Sequence, residues 1–371
     1  MGSKEVSQHF GQDAAIALFS DEAQTSPEPP SLIAVASCHY SLNICVWAMY
    51  GDSRQSGVTN LTGRHCEDTV DVFYKQSDMS LFRRLCLAGH PVDRLTIQWR
   101  QHEKLFKLSN QLHYSMRIRT KGSMKGNLQG HTTLMGRIVN LPYSKITTQS
   151  DYQKRLLHVI VDSPTMEAKD TNSRANPGFA AYVTDIVLPK VRADFDKTTH
   201  KNVILIVPYA KQKELYRRLF PKMRTQGWTD AELPQLFTVD AAHGQEAHLV
   251  IFDVVNDDYE GFLQDKKRCC VAFGRAKEQT IAISGALAQV DQSTTKQLVR
   301  DATDSDKVKE IILKRPLVHW ATYFATKKCT HEAAPLHFEI PADLAFYDED
   351  VEGAKVESKS EENAATSGEV E

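Results

Sequence analysis

The chain has 371 residues, of which 41% are hydrophobic and 25% are charged, and its formal net charge is −2. These values are ordinary for a globular chain of about two domains, and they exclude a protein that coats nucleic acid through bulk positive charge. No run of about 18 apolar residues is present and the N-terminus lacks the apolar core of a secretory signal, so we predict no membrane span.

The first 80 residues contain two apolar runs that predict buried strands, over residues 15–19 and 44–50. Three prolines between them are expected to break any long helix and to leave only a short one over residues 32–36. Residues 53–78 have weak periodicity and are predicted to form a loop.

Residues 80–150 combine short helices with irregular chain. We predict helices over residues 80–88 and 102–114 and a strand over residues 95–97. The segment 115–150 is rich in Gly, Lys and Thr, which indicates an irregular surface insertion or a domain margin.

From residue 156 onward, strands and helices alternate clearly. Helices are predicted over residues 180–191 and around Leu215 and Leu219, which share one face. The predicted strands cover residues 157–161, 203–207, 236–239, 249–252 and 280–283. Such alternation predicts an α/β fold with a parallel sheet and right-handed crossovers.

The seven cysteines show no C-x-x-C spacing and no paired metal-ligand pattern. Reduced thiols are therefore expected, which indicates an intracellular protein of the nucleus or the cytoplasm. Cys269 and Cys270 lie in an apolar run that we interpret as a strand with buried free thiols.

Five short charged motifs stand at the ends of apolar runs. In chain order they are Asp21-Glu22-Ala23-Gln24, Gly51-Asp52-Ser53-Arg54-Gln55, Gln98-Trp99-Arg100, Val239-Asp240-Ala241-Ala242-His243-Gly244-Gln245-Glu246 and Val271-Ala272-Phe273-Gly274-Arg275-Ala276-Lys277. The carboxyl ends of parallel strands are where α/β sheets bind ligands. Carboxylates early and arginines late predict a site for a metal-bound triphosphate.

The individual motifs offer the chemistry that such a site needs. In the Asp21-Glu22 pair, which follows an apolar run, one carboxylate can hold Mg²⁺ while its neighbour orients or deprotonates the attacking water. Gln55 adds an amide for a terminal phosphate, and Arg100 adds a guanidinium for phosphate oxygens. Taken singly, the early motifs are better explained by a turn, a helix cap or a surface salt bridge. Their recurrence at five strand ends in one order favours the functional interpretation.

The series resembles the nucleic-acid helicases of superfamily 1, in the branch that includes the nonsense-mediated-decay RNA helicase, senataxin-like enzymes and the DNA-replication helicase-nuclease. The resemblance covers residues 15–285. It is supported locally by Ser80-Leu81-Phe82-x-Arg84-Leu85, Leu95-x-x-Gln98-Trp99-Arg100-x-His102, Asn110 with Tyr114, and Val207-Pro208-Tyr209-x-x-Gln212.

The resemblance implies a RecA-like parallel sheet flanked by helices, with ATP and Mg²⁺ bound between two such domains. It implies that Asp21 holds Mg²⁺, that Glu22 activates water and that Gln55 reads the γ-phosphate. Arg100 and Arg275 would stabilise charge on the transferring phosphoryl group, Arg275 as an arginine finger in cis. The implied nucleotide contacts are Gln98, Gly244, Gln245 and Glu246. The implied contacts with single-stranded RNA or DNA are Pro208, Tyr209, Gln212, Thr238 and Asp240.

The sequence departs from the family at its first motif. The phosphate-binding loop Gly-x-x-x-x-Gly-Lys-Ser/Thr normally lies far upstream of the Asp-Glu pair, and only 20 residues precede Asp21. Residues 130–137 have the wrong spacing and lack the Lys. In addition, Gly274 stands where the family usually has Thr.

We therefore predict four segments. Residues 1–79 are expected to be the C-terminal remnant of a first RecA-like motor domain, and residues 80–290 a complete second one. Residues 291–345 are expected to form a C-terminal extension, and residues 346–371 an acidic disordered tail.

Charge is unevenly distributed along the chain. From Asp348 to Glu371, nine acidic residues and two lysines give a net charge of −7, so residues 1–347 carry a net charge of +5. Residues 100–125 hold seven Lys or Arg against one acid, and residues 211–224 hold six against one. These clusters are either solvated helix faces or a groove that follows a single nucleic-acid strand. The acidic tail is a candidate surface for protein partners.

The sequence thus predicts the C-terminal part of an ATP-dependent RNA or DNA helicase, with weak or no ATP hydrolysis by the chain alone. A non-catalytic nucleic-acid-binding or regulatory module with the same fold is the alternative. A third possibility is an unrelated α/β nucleotide-binding enzyme, which the absence of a RecA-like sheet in residues 150–285 would favour.

Overall fold

The computed structural model describes residues 15–39, 43–58, 73–126, 128, 130–168, 173–257, 261–285 and 316–335. The first part of the chain contains short elements. They are β1 (Ala15–Ser20), α1 (Glu28–His39), β2 (Asn43–Met49), α2 (Tyr74–Ser77), α3 (Leu81–Leu87), β3 (Ile97–Gln98), α4 (Glu103–Tyr114), β4 (Arg119–Thr120), α5 (Leu134–Ile138), α6 (Tyr143–Thr147) and α7 (Asp151–Arg155).

The rest of the chain alternates strands with helices. Its elements are β5 (Leu156–Ile160), β6 (Met166–Glu167), β7 (Arg174–Ala175), α8 (Pro177–Ala181), a π-helical segment (Tyr182–Val187), α9 (Leu188–Phe195), α10 (Thr199–Asn202), β8 (Val203–Val207), α11 (Ala210–Thr225), β9 (Gln235–Thr238), β10 (Ala247–Asp253), α12 (Lys266–Phe273), β11 (Ala276–Ser284), α13 (Pro316–Thr326) and β12 (Thr330–Glu332). Short 3₁₀ turns cover Gly122–Lys125, Asp196–Thr198, Asp230–Glu232 and Gly261–Gln264.

The centre of the molecule is a six-stranded sheet in the order β12-β5-β11-β10-β8-β9, in which every pairing is parallel. Its four inner strands bury both faces, as in other parallel sheets covered by helices. In β8, Val203, Leu205 and Val207 face one core cluster, whereas Ile204 and Ile206 face the other. The predicted α/β fold with a RecA-like parallel sheet is therefore confirmed.

The N-terminal elements form a separate strand pair. β1 and β2 pair in parallel, with α1 between them in sequence. The prediction that prolines would leave only a short helix here was wrong. α1 begins at Glu28, so Pro29 and Pro30 lie in its first turn, where a proline loses no intrahelical hydrogen bond.

Two other predictions about elements need correction. The segment 115–150 is not purely a surface insertion, because α5 places Leu134, Met135 and Ile138 in the main core. Cys269 and Cys270 lie in helix α12 rather than in a strand, although both thiols are buried as predicted. A short apolar run does not distinguish a buried strand from a buried helix.

The sheet also receives its last strand from residues beyond 290. β12 pairs with β5, and α13 packs Trp320 and Phe324 into the core. Residues 291–315 and the predicted acidic tail, residues 346–371, lie outside the described residues. None of the helices in the described part combines the length and apolar character that a membrane span requires.

Candidate active site

The loop after β1 brings two carboxylates and a glutamine to the end of β2. Glu22 has a φ of 49°, and its N–H donates to Oδ1 of Asp21 at 2.9 Å. The N–H of Ala23 donates to the carbonyl oxygen of Tyr50 at 2.8 Å, which joins this loop to the end of β2. Asp21 is exposed, whereas Gln24 is buried.

Gln24 connects the loops that follow β1 and β2. Its Oε1 accepts from the N–H of Asp52 at 3.0 Å, and its Nε2 donates to Oε2 of Glu22 at 2.6 Å. Gly51 makes this possible, because a Cβ at position 51 would collide with Oε1 of Gln24.

Glu22 also reaches the loop that follows β9. Nε2 of His243 lies 3.0 Å from Oε2 of Glu22. The hydrogen bond from His243 lowers the pKa of the Glu22 carboxyl to about 2, against the opposing effect of burial. Glu22 is therefore ionised at neutral pH, and it joins two segments that are far apart in sequence.

A second set of hydrogen bonds surrounds Arg275, which is 1% exposed. Its guanidinium donates to Oε1 of Gln55 and, at 3.0 Å, to the carbonyl oxygen of Val271. Nε2 of Gln55 donates to Oδ2 of Asp52 at 2.9 Å, and the hydroxyl of Tyr114 donates to the same oxygen at 2.5 Å. Burial, and then the charge of Arg100, lower the pKa of Arg275 to about 10, so the side chain stays cationic at neutral pH.

The sequence predicted that Arg275 follows a strand, but the structure shows a helix before it. Helix α12 ends at Phe273 and β11 begins at Ala276, so Arg275 lies at a helix-to-strand junction. Among the described residues, no carboxylate forms an ion pair with its guanidinium.

Arg100 lies in an ion-pair cluster at the margin of this site. Its Nε is 2.9 Å from Oε2 of Glu246, and Nζ of Lys277 is 2.7 Å from Oε1 of Glu246. The hydrogen bonds from Lys277 and Arg100 lower the pKa of Glu246. Glu246 thus pairs with two cations, one at each carboxylate oxygen.

Gln98 organises the loop that carries Arg100. Its Oε1 accepts from the N–H groups of Arg100 and Gln101, both at 2.9 Å, and its Nε2 donates to the carbonyl oxygen of Gln101 at 2.7 Å. Nε2 of Gln101 then donates to the carbonyl oxygen of Phe273 at 2.9 Å. This last bond ties the Arg100 loop to the residue that ends α12.

The loop between β9 and β10 contains the remaining predicted nucleotide contacts. Gly244 has a φ of 74°, a conformation that glycine adopts without strain, and Gln245 beside it is exposed. Oγ1 of Thr238 accepts from the N–H of Ala241 at 3.4 Å. Oδ1 of Asp240 lies 3.3 Å from Nε of Arg268, so Asp240 is already paired with a cation.

Pro208, Tyr209 and Gln212 lie at the end of β8 and the start of α11. The hydroxyl of Tyr209 accepts from Nδ2 of Asn256 and from the N–H of Phe262, both at 3.1 Å. Pro208, Tyr209 and Gln212 are all buried. Nε2 of Gln212 donates to Oδ2 of Asp253 at 2.6 Å, so Gln212 faces the protein interior.

The structure therefore brings all five motifs together through four contacts. They are Glu22 with His243, Gln24 with Asp52, Gln55 with Arg275, and Arg100 with Glu246. The residues at the end of β8 form a separate group with Asn256 and Asp253. The roles predicted for the individual site residues stay predictions.

Several residues in these networks were not assigned a role from the sequence, and four of them touch the predicted catalytic residues or their partners. Gln24, Asp52 and His243 stand inside the motifs themselves, so their neighbours were the available signal. Tyr114 is 62 residues from Asp52, and only the likeness of its segment to the helicase family pointed to it.

Asp21 is the residue of this site that suits Mg²⁺. Its accessible carboxylate provides hard oxygen ligands, whereas the Glu22 carboxylate is engaged by Gln24 and His243. The described residues contain no group of three or more His, Cys, Asp or Glu side chains that would hold a metal ion by themselves.

Comparison with known proteins gives a family match over residues 77–286, to a model described as an AAA domain. An uncharacterized ATP-dependent helicase of Methanocaldococcus jannaschii is 25% identical over 265 residues, which are 71% of this chain and 35% of that protein. MAGATAMA 3, a probable helicase of Arabidopsis thaliana, is 24% identical over 345 residues, which are 89% of this chain and 37% of that protein.

A third relative is regulator of nonsense transcripts 1 of Dictyostelium discoideum. It is 27% identical over 272 residues, which are 72% of this chain and 18% of that protein. The chain thus spans between 18% and 37% of the length of these three relatives.

Proposed function

We propose, because the chain belongs to the AAA-domain family of superfamily 1 helicases, that it forms part of the motor of an ATP-dependent RNA or DNA helicase. Within that superfamily it belongs to the branch of the nonsense-decay helicase and the senataxin-like enzymes. The buried guanidinium of Arg275 is the observation that carries the proposal. A buried cation without a paired anion is costly, and a bound phosphate offsets that cost.

Three side chains would act on the terminal phosphate. Arg275 would stabilise the negative charge that develops on the transferring phosphoryl group, and Gln55 would sense that group through its bond to Arg275. Glu22 would accept a proton from the attacking water or orient it. Its low pKa keeps it ionised, and the bonds from His243 and Gln24 fix its carboxylate.

Asp21 would hold Mg²⁺ next to the phosphates. The ion would supply charge neutralisation on the phosphate oxygens when bound. The Asp21 carboxylate accepts a hydrogen bond from the N–H of Glu22, which leaves its second oxygen available to such a ligand.

Arg100 and Glu246 would exchange partners when a nucleotide enters. A triphosphate competes with Glu246 for the Arg100 guanidinium, and Lys277 keeps Glu246 ionised. Glu246 would then be available for a ribose hydroxyl, with Gln98, Gly244 and Gln245 lining the same margin.

Single-stranded RNA or DNA is the proposed partner. The residues proposed along its path are Pro208, Tyr209, Gln212, Thr238 and Asp240, of which the first three are buried. The cysteine pattern of the sequence predicts reduced thiols, so we propose action in the nucleus or the cytoplasm. Binding of protein partners by the acidic tail stays a prediction.

The finer part of the proposal concerns turnover. The 371-residue sequence contains no Gly-x-x-x-x-Gly-Lys-Ser/Thr loop, so we expect weak or no ATP hydrolysis by this chain alone. Release of inorganic phosphate, with and without oligo(U) or oligo(dT), measures this directly. Vigorous turnover by the chain alone would contradict it.

Arg275→Ala tests the phosphate contact even if turnover is weak. We expect the wild-type chain to bind a fluorescent non-hydrolysable ATP analogue more tightly than the diphosphate. The variant should show a ratio of these two affinities that is about tenfold smaller. Arg192→Ala, which removes a guanidinium paired with Glu232 far from the site, is the matched control. Unchanged single-strand binding with no triphosphate preference in any variant would favour the non-catalytic module.

A further inference from the structure

Helix α11 carries an unusual density of positive charge on its outer side. Its buried face consists of Gln212, Leu215, Tyr216, Phe220 and Met223. Because successive helical residues are about 100° apart, its basic residues form two rows that flank the exposed side. We call these residues the basic face of α11: Lys211, Lys213, Arg217, Arg218, Lys222 and Arg224.

Half of the basic face lacks a counter-charge in the described part of the chain. Glu214 pairs with Lys211 and Arg218, and Asp230 pairs with Arg224. Lys213, Arg217 and Lys222 form no ion pair with any described residue. Burial, and to a smaller extent the charge of the neighbouring Arg217, lower the pKa of Lys213.

The chain itself contains a segment of complementary charge. Residues 348–371 hold nine acidic residues and carry a net charge of −7. In total, this charge equals that of a nucleic-acid strand with about seven phosphates.

The chain leaves the sheet on the side where α11 begins. β12 and β8 run parallel, so the end of β12 and the start of α11 lie at the same edge of the sheet. Ala333, just after β12, packs against the same core cluster as α11. Four strand spacings, about 19 Å, separate β12 from β8.

The connecting chain is long enough for this distance. Twelve residues stand between Pro335 and Asp348, and an extended chain of that length reaches about 40 Å. From this charge complementarity and reach, we propose that residues 348–371 dock on the basic face of α11 and compete there with single-stranded nucleic acid. The competition rests on the proposed function, whereas the docking does not.

The second basic cluster, within residues 100–125, is a poorer partner for the tail. Helix α4 packs against the opposite core cluster, so this cluster lies on the other side of the sheet. Two of its lysines, Lys104 and Lys125, are already paired with Asp151 and Glu103. The tail would have to pass around the sheet to reach it.

Zero-length carbodiimide crosslinking of the full chain tests the docking without nucleic acid or ATP. We expect amide crosslinks from acidic residues of the tail to Lys213 and Lys222 at about 50 mM salt, lost at about 500 mM. Lys107 and Lys121 in the other cluster are the reference lysines. Crosslinks mainly to these two, or none to α11, would overturn the proposal.

Charge reversal identifies the surface. Lys213→Glu with Arg217→Glu should lower the crosslink yield at Lys222 by about tenfold, whereas Arg119→Glu with Lys121→Glu, the same charge change in the other cluster, should leave it within about twofold. If the first double variant fails to fold, Arg217→Glu with Lys222→Glu repeats the test with Lys213 as the reporter. An equal loss in both double variants would indicate a general charge effect and overturn the assignment to α11.

Neutralising the tail tests the competition. Replacing its nine acids with the matching amides should raise the affinity for oligo(U) and oligo(dT) about three- to tenfold at about 50 mM salt. Crosslinks to α11 without this gain would leave the docking in place but refute the competition. Strong single-strand binding without crosslinks would refute the inference and leave the proposed function intact.

Discussion

Arg275 and Asp253 are both buried ionisable side chains, and their surroundings act on them differently. Burial lowers the pKa of Arg275 to about 10, which still leaves it charged at neutral pH. Asp253 accepts hydrogen bonds from Gln212, Tyr216 and the N–H of Val255, yet burial raises its pKa to about 6. Arg275 therefore suits an anionic ligand, whereas ionisation of Asp253 lowers the stability of the fold.

Asp253→Asn tests this raised pKa. The carboxyl of the unfolded chain titrates near its ordinary value of 3.8, and that of the folded chain at about 6. The stabilisation from the folded state's tighter proton binding is complete below the unfolded pKa and is lost as the pH rises through the folded pKa. We expect the free energy of unfolding of the wild type, relative to Asp253→Asn, to fall by about 2 kcal/mol from about pH 4.5 to about pH 7.

Urea unfolding at the two pH values measures this difference. Asp230→Asn applies the same chemical change to an exposed carboxyl and serves as the control. A wild-type advantage over Asp253→Asn that stays constant with pH would contradict a proton-binding Asp253.

Gly51→Ala tests how Glu22 is held in place. The new Cβ collides with Oε1 of Gln24, so Gln24 must give up its bond to the N–H of Asp52 and loosen its bond to Glu22. We expect a stability loss of about 1 kcal/mol and an affinity for the fluorescent triphosphate about fivefold lower. Gly57→Ala is the control, because the nearest atom to its new Cβ is at 3.7 Å. Equal effects of the two substitutions would refute the role of Gln24.

At the scale of elements, the sequence predicted the strands better than the helices. The β-branched and leucine-rich run of β8 has few alternatives to a buried strand. The full length of α1 was not predicted, because its prolines lie in the first turn, the only helical turn that tolerates them. α12 was predicted as a strand, because its apolar run is short.

The site was predictable in its parts but not in its pairings. The motifs indicated which side chains carry chemistry, but no local pattern states that Glu22 meets His243 or that Gln55 meets Arg275. Those contacts depend on how the loops after β1, β2 and β9 approach the end of α12. This is a property of tertiary packing rather than of spacing along the chain.

The contact between α5 and α6 gives a prediction at the same scale. Gly136 lies where the side chain of Ile146 approaches the backbone of α5, so an added Cβ would collide with Ile146. We expect Gly136→Ala to lower the free energy of unfolding by about 1–3 kcal/mol through overpacking. Gly122→Ala, with open space around the new Cβ, should change stability by less than about 0.5 kcal/mol. Thermal and urea unfolding of both variants provide the comparison. If Gly136→Ala left the free energy of unfolding unchanged, α6 would have to shift away from α5 at no cost.

At the scale of the whole molecule, the C-terminal elements are connected to the site through packing. The Trp320 ring of α13 stacks on Phe273 with ring centroids 3.8 Å apart. The carbonyl oxygen of Phe273 accepts from Gln101, and Arg275 follows two residues later. Removal of α13 would therefore uncover the residue that ends α12 and anchors the Arg100 loop.

Trp320→Ala tests whether α13 and the six-stranded sheet unfold as one unit. Because Trp320 is buried against Phe273 and Phe324, we expect a loss of about 3–5 kcal/mol in the free energy of unfolding. Trp320→Phe keeps a ring in contact with Phe273 and removes an Nε1 that has no hydrogen-bond partner among the described residues, so it should cost about 1 kcal/mol. Far-ultraviolet circular dichroism reports overall unfolding, and hydrogen exchange reports the opening of β5. The substitution should lower the stability measured by both methods by the same amount, because β12 pairs with β5 and α13 packs beside it. Two separate transitions, with β5 protected after α13 has melted, would show instead that residues 316–335 fold onto an already stable sheet.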